Sequence, residues 1–143
     1  MGTSKLTKSE VASRFIAGDN CSQCVLTSWA DELGYDEEEL MRMASAFGGG
    51  MFRGDTCGAI TGALIALGLA FGDDSDLLHD KVAEFRKQFV ERFGNLNCRD
   101  LVKYDFSIPG ERDKAMAAGA TIETCPALVC GALEILDDLL EDM

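Results

Sequence analysis

From Ser75 to Phe93 the apolar residues Leu78, Val82, Phe85, Phe89 and Phe93 recur at steps of three and four, with Lys81, Glu84, Arg86, Lys87 and Glu91 between them. That period marks a helix with one apolar stripe and one solvated face. The stripe must be covered by other elements, and no stretch of the chain alternates apolar and polar residues as a half-buried strand does. The partners are therefore expected to be helices. The fold class is predicted as all-α, a single compact domain over residues 1–143 with about six to eight helices and with residues 1–6 expected to be disordered.

Punctuation along the chain supplies the rest. Thr7 and Glu10 have capping-box spacing ahead of Val11, Phe15 and Ile16 on one face, and Gly18 stops that helix. A second helix is predicted from Cys21 to Leu33, with Val25, Leu26, Trp29 and Leu33 inward and Gly34 at its end. Asp36 and Glu39 suggest another capping box before the stripe Leu40, Met43, Ala44 and Phe47, which Gly48-Gly49-Gly50 breaks. A helix from about Cys57 to Phe71 follows the loop Gly48–Asp55. A short helix is expected near Cys98, a turn over Ser107–Gly110, a weak helix over Glu111–Ala118 ended by Gly119, and a last helix from Cys125-Pro126 carrying Leu128, Val129, Leu133, Leu136 and Leu140.

A chain of 143 residues, 47% hydrophobic with 2 prolines, can bury a core without disulfide staples. Its formal net charge of −12 repels phosphate backbones and anionic lipid, so no nucleic-acid role is expected, and solubility is the plain reading of the acidity. The most apolar stretch, Gly58–Gly72, would span roughly 22 Å as a helix, short of the roughly 30 Å of a bilayer core, so no membrane insertion is expected. Residues 1–20 lack the apolar run of a secretory signal. Six cysteines without such a signal point to the cytoplasm, and to metal binding or redox chemistry rather than a disulfide scaffold.

Four of those cysteines share a context. Asn20-Cys21, Thr56-Cys57, Asn97-Cys98 and Thr124-Cys125 each place a cysteine after a capping residue and before a predicted helix, and Pro126 suits a first turn. Helix N-termini carry unpaired N–H groups and partial positive charge, which favour thiolate over thiol. If four such ends converge, the site favours an anionic centre. Cys21, Cys57, Cys98 and Cys125 are therefore the candidate cofactor- and metal-binding residues; no catalytic residue is assigned. Cys24 and Cys130 break the pattern and read as packing residues. Cys21-x-x-Cys24 has dithiol spacing but no preceding strand.

Three uses of the four thiols compete: an iron–sulfur cluster, disulfide cycling, and a zinc site, the last ranked lower because only Cys21 and Cys24 have close-pair spacing. His79 stands in an acidic stretch and reads as a surface residue. Gly49 and Gly54 have P-loop glycine spacing, but Asp55 stands where the lysine should be. The loop is instead expected to let Cys57 reach its partners or to cover the site, with Phe52 and Arg53 near a ligand. Gly58, Gly62 and Gly68 within one helix would together cost about 3 kcal/mol relative to alanine, which close approach of another helix or of a prosthetic group would offset.

Cys57-Gly58-Ala59-Ile60-Thr61-Gly62 resembles the Cys-Gly-Ala-x-x-Gly motif of the redox-active family named for the pattern Cys, GCAxxG, Cys, Cys. Asn20-Cys21 with Val25-Leu26, Cys98-Arg99-Asp100-Leu101 with Tyr104-Asp105, and Cys125-Pro126 with Leu128-Val129 are similar to its other cysteine contexts, over about residues 8 to 140. The resemblance implies a small bacterial or archaeal redox protein, often associated with transporter genes, with a redox partner protein or a transporter component as its partner. It implies no particular reaction. The leading expectation is a redox or electron-transfer protein, with oxidoreductase-type activity an open question. The alternatives are a non-redox metal-binding module, regulatory or structural, and a helical interaction domain with core cysteines.

Overall fold

Helix α5 (Gly58–Phe71) is the centre of the molecule. Its run of small and apolar residues has no polar face to give to solvent, and Ala59, Ile60, Ala63, Ala66 and Leu67 are fully buried. Around it lie α2 (Cys21–Thr27), α6 (Ser75–Phe93) and α9 (Ala120–Leu139). The computed structural model describes residues 5–141 and Met143. Among them are nine α-helices and no strand, more helices than the six to eight expected. The remaining five are α1 (Lys8–Ile16), α3 (Ala30–Leu33), α4 (Glu37–Met43), α7 (Cys98–Val102) and α8 (Glu111–Ala117). The disorder expected over residues 1–6 falls mostly on residues 1–4, outside the described residues; Lys5 lies 4.4 Å from the centre of the Trp29 ring and pairs with Glu32.

The stripe of α6 packs as its period predicts. Phe85 and Phe89 are fully buried with ring centres 6.1 Å apart, and Phe93 follows at 4.9 Å from Phe89. His79 is exposed, as expected. Two inward assignments fail: Ile16 and Met43 are exposed. Each stands at the end of a short helix, where the apolar stripe has already turned off the contact face.

The extra helices come from breaks that hydroxyls make. The helix expected over residues 21–33 ends at Thr27, where the side chains of Thr27 and Ser28 each donate at 2.7 Å to the carbonyls of Gln23 and Cys24. Such back-bonding competes with the helix ladder. The capping box Thr7/Glu10 is present; at α4 only the Asp36 carboxylate caps, accepting from Glu39 N–H at 3.2 Å.

The largest correction is at α9. It begins at Ala120, behind Gly119 in the left-handed region (φ 68°), so Cys125 sits inside the helix and Pro126 with it. Proline there removes the bond to the carbonyl four residues back, that of Ile122. No single helix among the described residues is long and apolar enough to cross a membrane; α8 and α9 pass that test only as a pair bent by 86°.

Candidate functional site

Two close approaches bring the four cysteines together. The first is between α2 and α5. A methyl group on Gly58 would lie 2.2 Å from Cys21 Sγ and 2.9 Å from the carbonyl oxygen of Phe47, and one on Gly62 would lie 2.6 Å from the carbonyl oxygen of Ser22. Glycine at these two positions lets the helices touch backbone to backbone, and it seats the Cys21 sulfur against the start of α5. That contact answers the expected offset for two of the three helix glycines. A methyl group on Gly68 would meet nothing within 4 Å, so no contact explains it.

The second is a short cross-link of extended backbone. Thr56 and Asn97 form an antiparallel bridge, flanked by Cys57 N–H to Leu96 O at 2.8 Å and Cys98 N–H to Asp55 O at 2.6 Å. Cys57 and Cys98, far apart in sequence, are thereby set on neighbouring extended segments. Arg99 donates to the Asp55 carboxylate at 2.9 Å and so ties α7 to the same loop. Gly50 permits this fit, since a methyl group there would meet Asp55 N at 2.4 Å and Cys98 Cβ at 2.9 Å.

Cys125 arrives from α9 and packs with Cys98 and Val102 in a small buried cluster flanked by Phe15, Tyr104 and Phe106. Cys21, Cys57, Cys98 and Cys125 all line one cavity of about 620 Å³. They are 6%, 3%, 5% and 6% exposed, which closes the sulfurs to anything larger than a small molecule. Cys24 and Cys130 belong to the main core instead, and Cys130 Sγ donates to Leu6 O at 3.1 Å.

The capping contexts differ more than their sequences do. Cys21 is the first residue of α2, behind a full capping box in which Asn20 Oδ1 accepts from Gln23 N–H and Gln23 Oε1 accepts from Asn20 N–H. Cys98 opens α7, although Asn97 makes no side-chain cap. Cys57 is itself the cap of α5, and Cys125 is in mid-helix. Threonine before cysteine reads as a cap from sequence, but the real start of α9 was set by Gly119.

The electrostatics follow that difference. Cys21 alone is lowered, to about 7: the Cys57 thiol lends it a proton, and N–H groups of Gly49, Ser22 and Cys21 itself point at the sulfur, outweighing desolvation. Cys57, as the donor in that pair and deeply buried, is pushed well up. Burial lifts Cys98 to about 12 and Cys125 higher, and a negative Cys21 adds to both. One of the four thiols is therefore lowered and three are raised, where the sequence led to four lowered groups. Local dipoles act within about one helical turn, so an N-terminus stabilises only the sulfur it faces.

The loop that covers the site is strained. Gly49, Gly50, Met51 and Phe52 all have positive φ (57°, 63°, 59° and 61°). For the two non-glycine residues this conformation costs roughly 1–2 kcal/mol each. It turns Phe52 to the cavity, as expected of a covering loop, while Arg53 faces Asp55 at 3.4 Å rather than the cavity. Phe106, Arg112, Met116 and Ile122 also line the cavity and were missed, because they lie on a turn and on helix residues whose sequence carries no motif.

A protein-family model described as "Putative redox-active protein (C_GCAxxG_C_C)" matches residues 19–139. The chain belongs to this family. No curated protein and no solved structure matches it. The family's printed pattern sets glycine before cysteine, whereas this chain reads Cys57-Gly58-Ala59-Ile60-Thr61-Gly62. The order here has a physical reason, because the residue after Cys57 lies directly against Cys21 Sγ. Among the described residues no three Cys, His, Asp or Glu side chains are grouped closely enough to hold a single metal ion.

Proposed function

We propose that the chain is a thiol–disulfide redox protein whose working pair is Cys21 and Cys57. The observation that carries this is the seating of the Cys21 sulfur against the start of α5, 2.2 Å from where a methyl group on Gly58 would stand, beside the Cys57 thiol that is the largest cause of lowering Cys21 to about 7. A thiol near neutral in pKa is close to the optimum for attack, since a lower one loses nucleophilicity and a higher one is not ionised. Cys21 is the attacking thiolate. Cys57, in contact with it, is the resolving thiol. All six cysteines stand as free thiols, which fits the reducing cytoplasm.

The test is oxidation of the purified protein with a mild disulfide, followed by peptide mapping. The expected product links Cys21 to Cys57, and Cys21→Ser abolishes it. Oxidised protein with Cys21 still free, or linked to another cysteine in preference, would overturn the pair.

A second reading is supported by the fact that Cys98 and Cys125 share the cavity without being needed by a two-cysteine pair. Cys21, Cys57, Cys98 and Cys125 form a donor set suited to an iron–sulfur cluster, and the cavity they line has room for one. In that reading these four residues hold the group, which would supply one-electron transfer, and the apolar cluster around Val102 and Phe106 shields it from water. A single zinc ion suits the site less, because four ligands about 2.3 Å from one ion must stand closer together than these residues do. Anaerobic purification separates the readings: visible absorbance with near-stoichiometric iron and sulfide favours the cluster, and colourless protein carrying a reactive Cys21 favours the thiol pair.

A further inference from the structure

We propose that the cavity takes a small disulfide with an apolar body and an anionic group, the anion being held at the mouth by Arg112. This rests on the reading of Cys21 and Cys57 as the working thiol pair.

Three observations carry the substrate class. The four cysteines are at most 6% exposed, so a disulfide built into a folded protein cannot reach them, whereas a cavity of about 620 Å³ has the size of a small-molecule site. Its mouth is rimmed by Ile16, Phe52, Met116 and Ile122, which line the cavity and are 77%, 57%, 53% and 37% exposed. Large apolar side chains gathered around one opening leave area that an apolar ligand would cover. Charge supplies the third. Apart from the Cys21 thiolate, the cavity lining contains two charged residues, Asp19 and Arg112. Asp19 is neutralised by Arg14 at 2.8 Å, whereas Arg112 has no ion pair among the described residues. The wall thus presents one guanidinium that no carboxylate among the described residues pairs with. On a chain of net charge −12 the long-range field disfavours an anion, so any preference for one must come from this local guanidinium, whose fork matches a carboxylate.

The reaction balances with the disulfide as oxidant. The Cys21 thiolate attacks one sulfur of R–S–S–R, forming Cys21–S–S–R and releasing RS⁻. Cys57 loses its proton to solvent and attacks Cys21 Sγ, forming the Cys21–Cys57 bond and releasing a second RS⁻. The protein dithiol loses two electrons and the Cys57 proton, and one disulfide gains the two electrons to become two thiolates.

The test compares dithiobis(nitrobenzoate), an anionic aromatic disulfide, with the neutral dithiodipyridine on the full chain. The readout is the ratio of their rates of reaction at Cys21. Arg112→Gln should lower the anionic-to-neutral ratio by about fivefold, the upper end for an exposed ion pair. Arg86→Gln, on the solvated face of α6, makes the same change in net charge and should leave the ratio as in the wild type. Thermal unfolding of each variant confirms that it folds. An unchanged ratio in Arg112→Gln, or an equal fall in both variants, overturns the role of Arg112 while leaving the thiolate reading intact. Failure of native Cys21 to react with either disulfide overturns both.

Discussion

Removal of the Cys57 thiol should return Cys21 to an ordinary cysteine. Cys57 makes the largest contribution to the lowered pKa, ahead of the N–H groups, and it works against desolvation. In Cys57→Ala the pKa should rise from about 7 toward its ordinary 9.0, by up to two units. Two units correspond to about 2.7 kcal/mol of lost preference for the thiolate. At neutral pH the ionised fraction would fall from about a half to about one in a hundred, roughly fiftyfold. The more basic thiolate is the better nucleophile, and a Brønsted slope of about 0.4–0.5 over two units recovers roughly six- to tenfold. The net expectation is that Cys21 is alkylated about six times more slowly at neutral pH. The assay is iodoacetamide labelling, with the Cys21 peptide quantified across a pH series. In the wild type the rate rises with pH and is half-maximal near 7, because the reactive form is the deprotonated one. In Cys57→Ala the midpoint moves up toward 9. Cys57→Ser retains a hydroxyl donor and should fall between. A Cys57→Ala midpoint that stays near 7 would refute the role of the Cys57 thiol and leave the backbone N–H groups of Gly49, Ser22 and Cys21 as the cause.

Glycine replacements in α5 should split by position. Gly58→Ala places a methyl group against Cys21 Sγ and should destabilise by about 1–3 kcal/mol through overpacking, whereas Gly68→Ala meets nothing and should stabilise by about 1 kcal/mol; chemical denaturation measures both. Asn20→Ala removes the capping box under Cys21 and should lower stability by about 1 kcal/mol, read in the same way. Met51→Gly relieves left-handed strain and should raise the melting temperature, with a gain of up to about 1 kcal/mol.

Much of the architecture was legible because helices declare themselves locally. The stripe of α6, the box at Thr7 and Glu10, and the glycines that make α5 small are all properties of a few neighbouring residues. The site was legible in part for the same reason: repeated capping contexts marked Cys21, Cys57, Cys98 and Cys125, and all four line one cavity. The misreadings share a cause. Thr124-Cys125-Pro126 has the local chemistry of a helix start, but Gly119 starts the helix five residues earlier and the chain carries proline through its interior. Thr27 and Ser28 ended α2 by bonding back to their own helix, an outcome that apolar spacing does not register.

The sequence by itself determined that the chain is helical, which residues form its core stripes, and which cysteines are singular, because these depend on interactions within a turn or two. Only the tertiary structure decided which thiol is lowered and which are raised. That choice depends on Cys57 standing beside Cys21, on the Gly49 amide reaching over from the loop, and on burial of Cys98 and Cys125 away from any donor. A pKa is the sum of such through-space terms, and residues distant along the chain supply most of them here.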